Sequence, residues 1–98
     1  MQYRNLGLFI DGEWIDAGER RTIAVLNPSN GTELGRLPVA NAEDIDHAVA
    51  AAVRGFEVWS EKSAYERAGI LQRAAQLLRE RTQRIAELVC LEQGKPLA

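Results

Sequence analysis

The stretch from Ser63 to Pro96 constrains the fold most, because it is the longest run with a regular apolar period. Its apolar residues lie three and four positions apart, which places them on one stripe of an amphipathic helix. The segments elsewhere are too short to form a core without this helix. The stripe begins with Ile70, Leu71, Ala74, Leu77 and Leu78.

Local signals mark the ends of this stretch and a bend inside it. Ser63 and Glu66 have the spacing of a capping box, in which the serine hydroxyl and the glutamate each satisfy an amide of the first turn. Gly94 and Pro96 are typical of a helix end. The apolar stripe weakens near Thr82, which can cap a new turn. We therefore predict one bent helix, or two helices, over residues 63–94.

Glu92 occupies an unusual place in this pattern. It lies four residues after Leu88 and seven after Ile85, so it continues the apolar column. A carboxylate buried there would need a cation, a basic side chain or backbone amides around it. The alternative is that the helix has already ended and water solvates the side chain.

The N-terminal third is predicted to form two strand hairpins. Leu8 to Ile15 holds two short apolar segments around Asp11-Gly12, a pair that tolerates the positive φ angles of a type I′ turn. Thr22 to Leu26 is rich in β-formers, and residues 32–39 follow it after the turn signal Ser29-Asn30-Gly31. Isolated hairpins are marginal in water, so these must pack on a helix or complete a larger sheet.

A third amphipathic segment follows the hairpins. Asn41 can cap a helix, and two acidic residues lie in its first turn, where the helix dipole favours them. We predict strand hairpins over residues 8–39, a helix over 42–59 and the bent helix over 63–94, which makes the chain α+β. The apolar face of the middle helix comprises Ile45, Ala48, Val49, Ala52, Val53, Phe56 and Trp59.

Charge and composition exclude several classes of protein. The 98 residues carry a formal net charge of −2 with basic residues scattered among acidic ones, which argues against a nucleic-acid partner. No stretch approaches the ~18 apolar residues of a membrane span. Asp11 interrupts the N-terminal apolar run before it could form a signal-peptide core. One cysteine excludes an internal disulfide framework, so we expect a cytoplasmic protein.

The residues themselves indicate no active site. Neither of the two glycine-rich phosphate-loop patterns occurs. His47 falls on the polar side of its helix, where a solvated histidine is the ordinary outcome. Cys90 could be a nucleophile, but no base lies near it in the sequence and a small packing role is the ordinary one. Trp14 and Trp59 are interpreted as core or interface anchors, not as platforms for stacking bases.

The order of several short motifs resembles the N-terminal segment of the aldehyde dehydrogenase superfamily. LFIDGEW is followed by LNPSNGTELGRLPVANAEDIDHAVAAA, by Phe56-x-x-Trp59, by ERAGILQRAAQLL and by LEQGKPLA, so the resemblance runs from about Leu8 to Ala98. LEQGKPLA is most similar to the succinate-semialdehyde dehydrogenase branch, and related branches use close variants.

The resemblance implies an enzyme that oxidises an aldehyde to a carboxylic acid with NAD or NADP. In that family a cysteine thiolate attacks the aldehyde, hydride passes to the nicotinamide, and a glutamate activates water. The fold it implies is a Rossmann-like α/β enzyme that forms homo-oligomers, with residues 1–98 as the N-terminal part of the cofactor-binding domain. The remainder of the parent enzyme would then be the principal partner.

The family's reactive groups do not carry over to these residues. The nucleotide-binding stretch, the catalytic cysteine and the catalytic glutamate all lie beyond the Gly-Lys-Pro motif at which this sequence stops, and Cys90 does not match the nucleophile. We therefore expect no catalytic and no cofactor-binding residue in this chain, and no activity from the chain alone. The alternative is a complete non-catalytic α+β interaction or oligomerisation module.

One site does carry over from the resemblance. Several members of the family hold a structural monovalent cation between carbonyls at the end of the strand before Asn-Pro and an acidic side chain before Gly-Lys-Pro. The matching positions are Val25, Leu26 and Glu92. Such a cation would explain a carboxylate on an apolar column.

Overall fold

A computed structural model describes residues 3–96, so residues 1, 2, 97 and 98 of the predicted domain lie outside the described residues. Four short strands precede three helices, and the strands form two separate antiparallel pairs, β1 with β2 and β3 with β4. The elements are β1 (Leu8–Ile10), β2 (Glu13–Ile15), β3 (Thr22–Leu26), β4 (Glu33–Pro38), α1 (Ala42–Glu61), α2 (Ala64–Glu80) and α3 (Thr82–Gln93). This order confirms the predicted α+β fold of two hairpins followed by helices.

The first hairpin forms because its two turn residues accept left-handed backbone angles. Asp11 has φ 53° and Gly12 has φ 78°, the combination that a type I′ turn requires. The turn pairs Phe9 with Trp14 across the strands, with ring centroids 4.9 Å apart. On the other face, Ile10 is only 8% exposed, because β1 packs against α1. The expectation that a hairpin needs a helix beneath it is therefore confirmed for this one.

The start of α1 is fixed by a local capping box and by a long-range contact from Arg20. Asn41 and Asp44 form a reciprocal capping box, with each side chain accepting from the other residue's amide at 2.9 Å. The helix runs to Glu61, two residues past the predicted end at Trp59, because the first non-helical backbone occurs only at Lys62.

The break between α2 and α3 is confirmed, but its capping was predicted wrongly. Ser63 accepts from the Glu66 amide, which is one half of the predicted capping box. The break itself is at Arg81, which has φ −103° and ψ 14°. Thr82 is already helical, and its hydroxyl donates back to the carbonyls of Leu78 and Arg79. Thr82 therefore closes α2 instead of capping α3.

The elements form an open layer with little enclosed core. The chain measures 48 × 37 × 16 Å with a radius of gyration of 17.0 Å, against about 13 Å for a compact domain of this length. Its accessible surface is 7799 Å², whereas a folded monomer of this mass exposes about 5,600 Å². Among residues 3–96, Ile10 and Pro38 are the buried apolar side chains. The predicted apolar face of α1 is largely exposed.

None of the helices within residues 3–96 combines the length and the apolar character needed to cross a membrane.

Candidate functional site

Three distant parts of the chain meet where α3 ends. A methyl group built on Gly94 would lie 3.3 Å from Pro28 Cγ, so the end of α3 lies beside the loop that follows β3. A methyl group built on Gly35 would lie 3.2 Å from the ring of Tyr3, which places that ring over β4. The Tyr3 hydroxyl donates to Glu92 Oε1. We call Tyr3, Pro28, Gly35, Glu92 and Gly94 the α3 junction.

Glu92 lies inside α3, which continues through Gln93. The alternative that the helix has ended before Glu92 is therefore wrong, although the side chain is exposed as that alternative expected. Its observed partner is the phenol of Tyr3, a group that sequence reasoning missed. The two residues are 89 positions apart, and no periodicity or spacing relates them.

Val25 and Leu26 lie at an irregularity of the second hairpin. Val25 pairs with Gly35 and Leu26 pairs with Glu33, so Leu34 is an extra residue and forms a β-bulge. Pro28 joins this strand end to the end of α3, which brings the region of Val25 and Leu26 towards that of Glu92. The monovalent-cation site at Val25, Leu26 and Glu92 stays a prediction.

The chemistry of this donor set suits a hard cation. Two backbone carbonyls and one carboxylate are all oxygen ligands, which alkali and alkaline-earth ions prefer to nitrogen or sulfur. Residues 3–96 contain no cluster of three or more His, Cys, Asp or Glu side chains that could hold a metal. Any cation at the α3 junction would therefore depend on backbone carbonyls.

The contact between α3 and the loop after β3 predicts a graded response to two glycine substitutions. Gly94 has φ 72° and Gly12 has φ 78°, so alanine at either position costs about 1–2 kcal/mol in backbone strain. At Gly94 the added methyl also meets Pro28, whereas nothing lies within 4 Å at Gly12. Denaturant unfolding should show Gly94→Ala as the more destabilising of the two. Equal losses of stability would mean that the end of α3 does not contact the loop after β3.

The Tyr3 hydroxyl should titrate far above an ordinary phenol. Burial raises its pKa from 10.0 to about 12, assisted by its hydrogen bond to Glu92 and by the charge of that carboxylate. The other tyrosine, Tyr65, is 92% exposed and can be replaced without loss of packing. Because the folded pKa is raised, the stability that Tyr3 contributes is present below about pH 10 and is lost as pH rises through about 12.

An absorbance titration of phenolate separates the two tyrosines. Tyr65→Phe leaves Tyr3 as the titrating phenol, and its midpoint should be near 12. Tyr3→Phe should remove the transition near 12. A Tyr65→Phe protein that titrates near 10 would contradict the contact with Glu92.

The other singled-out residues form no reactive group. His47 is exposed on α1, and Cys90 is a half-buried free thiol on α3. Trp59 is half-buried, whereas Trp14 is 58% exposed, so Trp14 is not a core residue within this chain and its interpretation as an interface anchor stays a prediction. It packs on Phe9 and under the guanidinium of Arg4, whose Cζ lies 4.9 Å from the ring. This hairpin is too thin to enclose an indole.

A second long-range contact that the sequence did not reveal ties the loop before β3 to α1. Arg20 donates from Nε and Nη2 to the two carboxylate oxygens of Asp44, at 2.7 and 2.6 Å. Asp44 is 6% exposed. The hydrogen bonds from Arg20, and then the amide of Asn41, lower the pKa of Asp44 from 3.8 to about 2. This pair is a structural anchor, since both carboxylate oxygens are already occupied.

Comparison with known proteins places these elements in a family. Residues 14–98 match the model of the aldehyde dehydrogenase family. The chain is 48% identical over 90 residues to 3-sulfolactaldehyde dehydrogenase of Pseudomonas putida, covering 92% of this chain and 18% of that protein. It spans about a fifth of the length of the relatives it matches.

Two solved structures share the fold. PnpE in complex with nicotinamide adenine dinucleotide is 39% identical with a TM-score of 0.87, over 99% of this chain and 19% of that one. Aldehyde dehydrogenase 21 from Physcomitrella patens, in complex with the reaction product succinate, is 29% identical with a TM-score of 0.87. The match covers 99% of this chain and 20% of that one. The hairpins, the three helices and the match over residues 14–98 together show that this chain belongs to the aldehyde dehydrogenase family.

Proposed function

We propose that this chain is the N-terminal part of the cofactor-binding domain of an enzyme that oxidises an aldehyde to a carboxylic acid with NAD(P)+. The observation that carries the proposal is the family match over residues 14–98. The TM-score of 0.87 over nearly the whole chain supports the same placement, because it covers all seven elements in their order. The chain covers only about a fifth of each relative, so the reacting groups would come from elsewhere in the enzyme.

Within that enzyme the chain would act as a structural layer. Its exposed apolar helix faces need a cover, and the rest of the parent enzyme would supply it. The bound nicotinamide cofactor supplies the hydride acceptor. The residues here would hold the loop after β3 against α3 through the α3 junction, and the loop before β3 against α1 through the Arg20–Asp44 pair. The parent enzyme would assemble as a homo-oligomer, as the family resemblance implies.

The substrate class we infer is a short aldehyde that carries an anionic group. The bacterial relative is named for 3-sulfolactaldehyde, which bears a sulfonate, and the plant structure holds succinate, which bears a carboxylate. The higher identity to the former, 48% against 29%, places 3-sulfolactaldehyde ahead of succinate semialdehyde as the first substrate to assay. NAD is the first cofactor to assay, because PnpE is in complex with it.

In the parent enzyme a monovalent cation would fit beside the α3 junction, between the end of β3 and Glu92. The carbonyls of Val25 and Leu26 and the carboxylate of Glu92 would hold it, and it would tie the end of β3 to α3. The hydrogen bond from Tyr3 uses one oxygen of Glu92 and leaves the other as a possible ligand. In the parent enzyme, KCl or NaCl should raise the melting temperature more than choline chloride of equal ionic strength. Glu92→Gln should remove that difference, whereas Glu87→Gln on the same helix should keep it.

The activity is tested by comparing this chain with the longer enzyme that the proposal requires. We expect the longer protein to reduce NAD+ or NADP+ in the presence of 3-sulfolactaldehyde or succinate semialdehyde. We expect the 98-residue chain to show no turnover with either. A longer protein that folds and binds cofactor but oxidises neither aldehyde would refute the substrate class. Turnover by the 98-residue chain would refute the structural role.

The exposed helix faces favour one alternative, a non-catalytic interaction or oligomerisation module. Five large apolar residues of α1 are each more than half exposed, which is unusual for a monomer that works alone. The alternative predicts that the 98-residue chain is the working protein and that it folds in an assembly. A genomic reading frame that ends at Ala98, together with a cooperatively folded assembly, would favour this module over the enzyme.

A further inference from the structure

The residues that precede β1 form a segment without regular structure. Residues 3–7 lie outside every helix and strand. Among the loop and turn hydrogen bonds of the backbone in residues 3–96, none involves this segment. Its position therefore depends on side-chain contacts and on close packing of its glycine. We call residues 3–7 the N-terminal strap.

The C-terminal part of the N-terminal strap is fixed to the first hairpin. A methyl group built on Gly7 would lie 2.7 Å from the carbonyl oxygen of Ile15, so the strap backbone lies directly against β2. Arg4 adds a cation–π contact, with its Cζ 4.9 Å from the centre of the Trp14 ring. The first hairpin is therefore the fixed base from which the strap extends.

The N-terminal end of the strap reaches two other elements. The ring of Tyr3 lies over Gly35 of β4, 3.2 Å from the position of an added methyl group. The φ angle of Gly35 is not positive, so the nearby ring, and not the backbone conformation, is what a side chain would meet there. The Tyr3 hydroxyl donates to Glu92 of α3. Because the two hairpins form separate sheets, the strap connects the first hairpin to the second and to α3.

A cavity separates the middle of the strap from α3. It has a volume of about 340 Å³ and is lined by Tyr3, Arg4 and Asn5 of the strap and by Arg84 of α3. Within residues 3–96, the hydrogen bond from Tyr3 to Glu92 is the one side-chain hydrogen bond that the strap makes. The strap thus has a fixed base at Gly7 and a free end that is held by one phenol.

We propose that the N-terminal strap is a conformational latch, closed when Tyr3 lies on Gly35 and donates to Glu92, and open when Tyr3 leaves both. Gly7 stays on β2 in both states. Opening removes the contact between the second hairpin and α3 that runs through Tyr3, and it uncovers the cavity beside Arg84. One ring and one hydrogen bond hold the closed state, so a small change at either shifts the population. The inference goes beyond the proposed function, because it needs neither cofactor nor substrate.

Trypsin cleavage of the 98-residue chain after Arg4 measures the open population, because a protease cuts a segment that has left its packed position. Mass spectrometry gives the initial rate at this bond. Tyr3→Phe removes the hydrogen bond, and Gly35→Ala displaces the ring without changing the cleavage sequence. Each should raise the rate about tenfold, the factor expected for a hydrogen bond to a charged group. The matched control is Gly55→Ala, where nothing lies within 4 Å of the added methyl group, and its rate should not change.

The phenol of Tyr3 provides a second readout that a general loss of stability would not reproduce. In a Tyr65→Phe background, Gly35→Ala should move the absorbance midpoint of Tyr3 below 12, whereas Gly55→Ala should leave it there. Circular dichroism of each variant establishes that its helices are intact.

Three results would overturn the latch. The first is an unmodified chain that trypsin cuts after Arg4 as fast as a free peptide of residues 1–10. The second is an equal cleavage rate in the unmodified chain, Tyr3→Phe and Gly35→Ala. The third is a Tyr3 midpoint that Gly35→Ala does not move. Absence of aldehyde oxidation in the longer enzyme would bear on the proposed function alone.

Discussion

Asp44→Asn will lower the melting temperature of the chain by about 5 to 10 °C at neutral pH, because it leaves the guanidinium of Arg20 without its charged partner. The Arg20 side chain is only 21% exposed, and it donates to both carboxylate oxygens of Asp44. Asparagine keeps the shape but presents an amide group to one of those donors. The capping hydrogen bond to Asn41 weakens as well, since the same side chain accepts from that amide.

The control for this substitution is an exposed ion pair. Arg36 Nη1 lies 2.7 Å from Glu33 Oε1, and about half of each side chain is exposed. Exposed pairs contribute little, so Glu33→Gln should change the melting temperature by no more than about 2 °C. Equal effects of the two substitutions would show that the Arg20–Asp44 pair does not anchor α1.

The same pair gives the unmodified chain a defined acid sensitivity. The pKa of Asp44 is lowered to about 2, so the folded state binds fewer protons than the unfolded state below about pH 5. The stability from this group is therefore fully present above about pH 5 and is lost as pH falls towards 2. Asp44→Asn should flatten that part of the stability profile, which chemical denaturation at several pH values can measure.

Ile10→Ala should cost about 2–4 kcal/mol in the free energy of unfolding, because it empties the contact between β1 and α1. Ile10 is 8% exposed and is the buried aliphatic side chain of the described residues. Few other contacts hold the first hairpin on α1. The loss should therefore also mobilise Phe9 and Trp14, which the fluorescence of Trp14 and Trp59 would report.

Val58→Ala is the matched control for Ile10→Ala. Val58 is 60% exposed and lies on the side of α1 opposite Val49 and Phe56. Truncating it should change stability by less than about 0.5 kcal/mol, since alanine also favours the helix. If the two substitutions cost the same, the core does not lie between β1 and α1.

Most of the secondary structure could be predicted from local signals. Asp11-Gly12, Asn41 and Gly94 each act through their own backbone or through neighbours within four residues, and each is observed in its predicted role. Thr82 shows the limit of such reasoning. A threonine hydroxyl can serve the start of one helix or the end of another, and only the backbone angles of Arg81 decide between them.

The contacts that organise the candidate site could not be predicted in this way. Tyr3 meets Glu92, and Arg20 meets Asp44, through pairings that depend on how whole elements pack. The apolar face of α1 was recognised, but its periodicity does not say what covers it. The β-bulge at Leu34 likewise depends on the register between two strands. The order and spacing of the short motifs indicated the aldehyde dehydrogenase family, whereas the chemistry of the individual residues did not.

We propose that this chain is a structural layer without a cofactor site of its own. Isothermal titration calorimetry of the 98-residue chain with NAD+ and with NADP+ tests it most directly. We expect no saturable heat with either nucleotide, because under the proposed function the cofactor-binding residues would lie outside these 98 residues. Saturable binding of either nucleotide in the micromolar range would refute this proposal and place a nucleotide site within these residues.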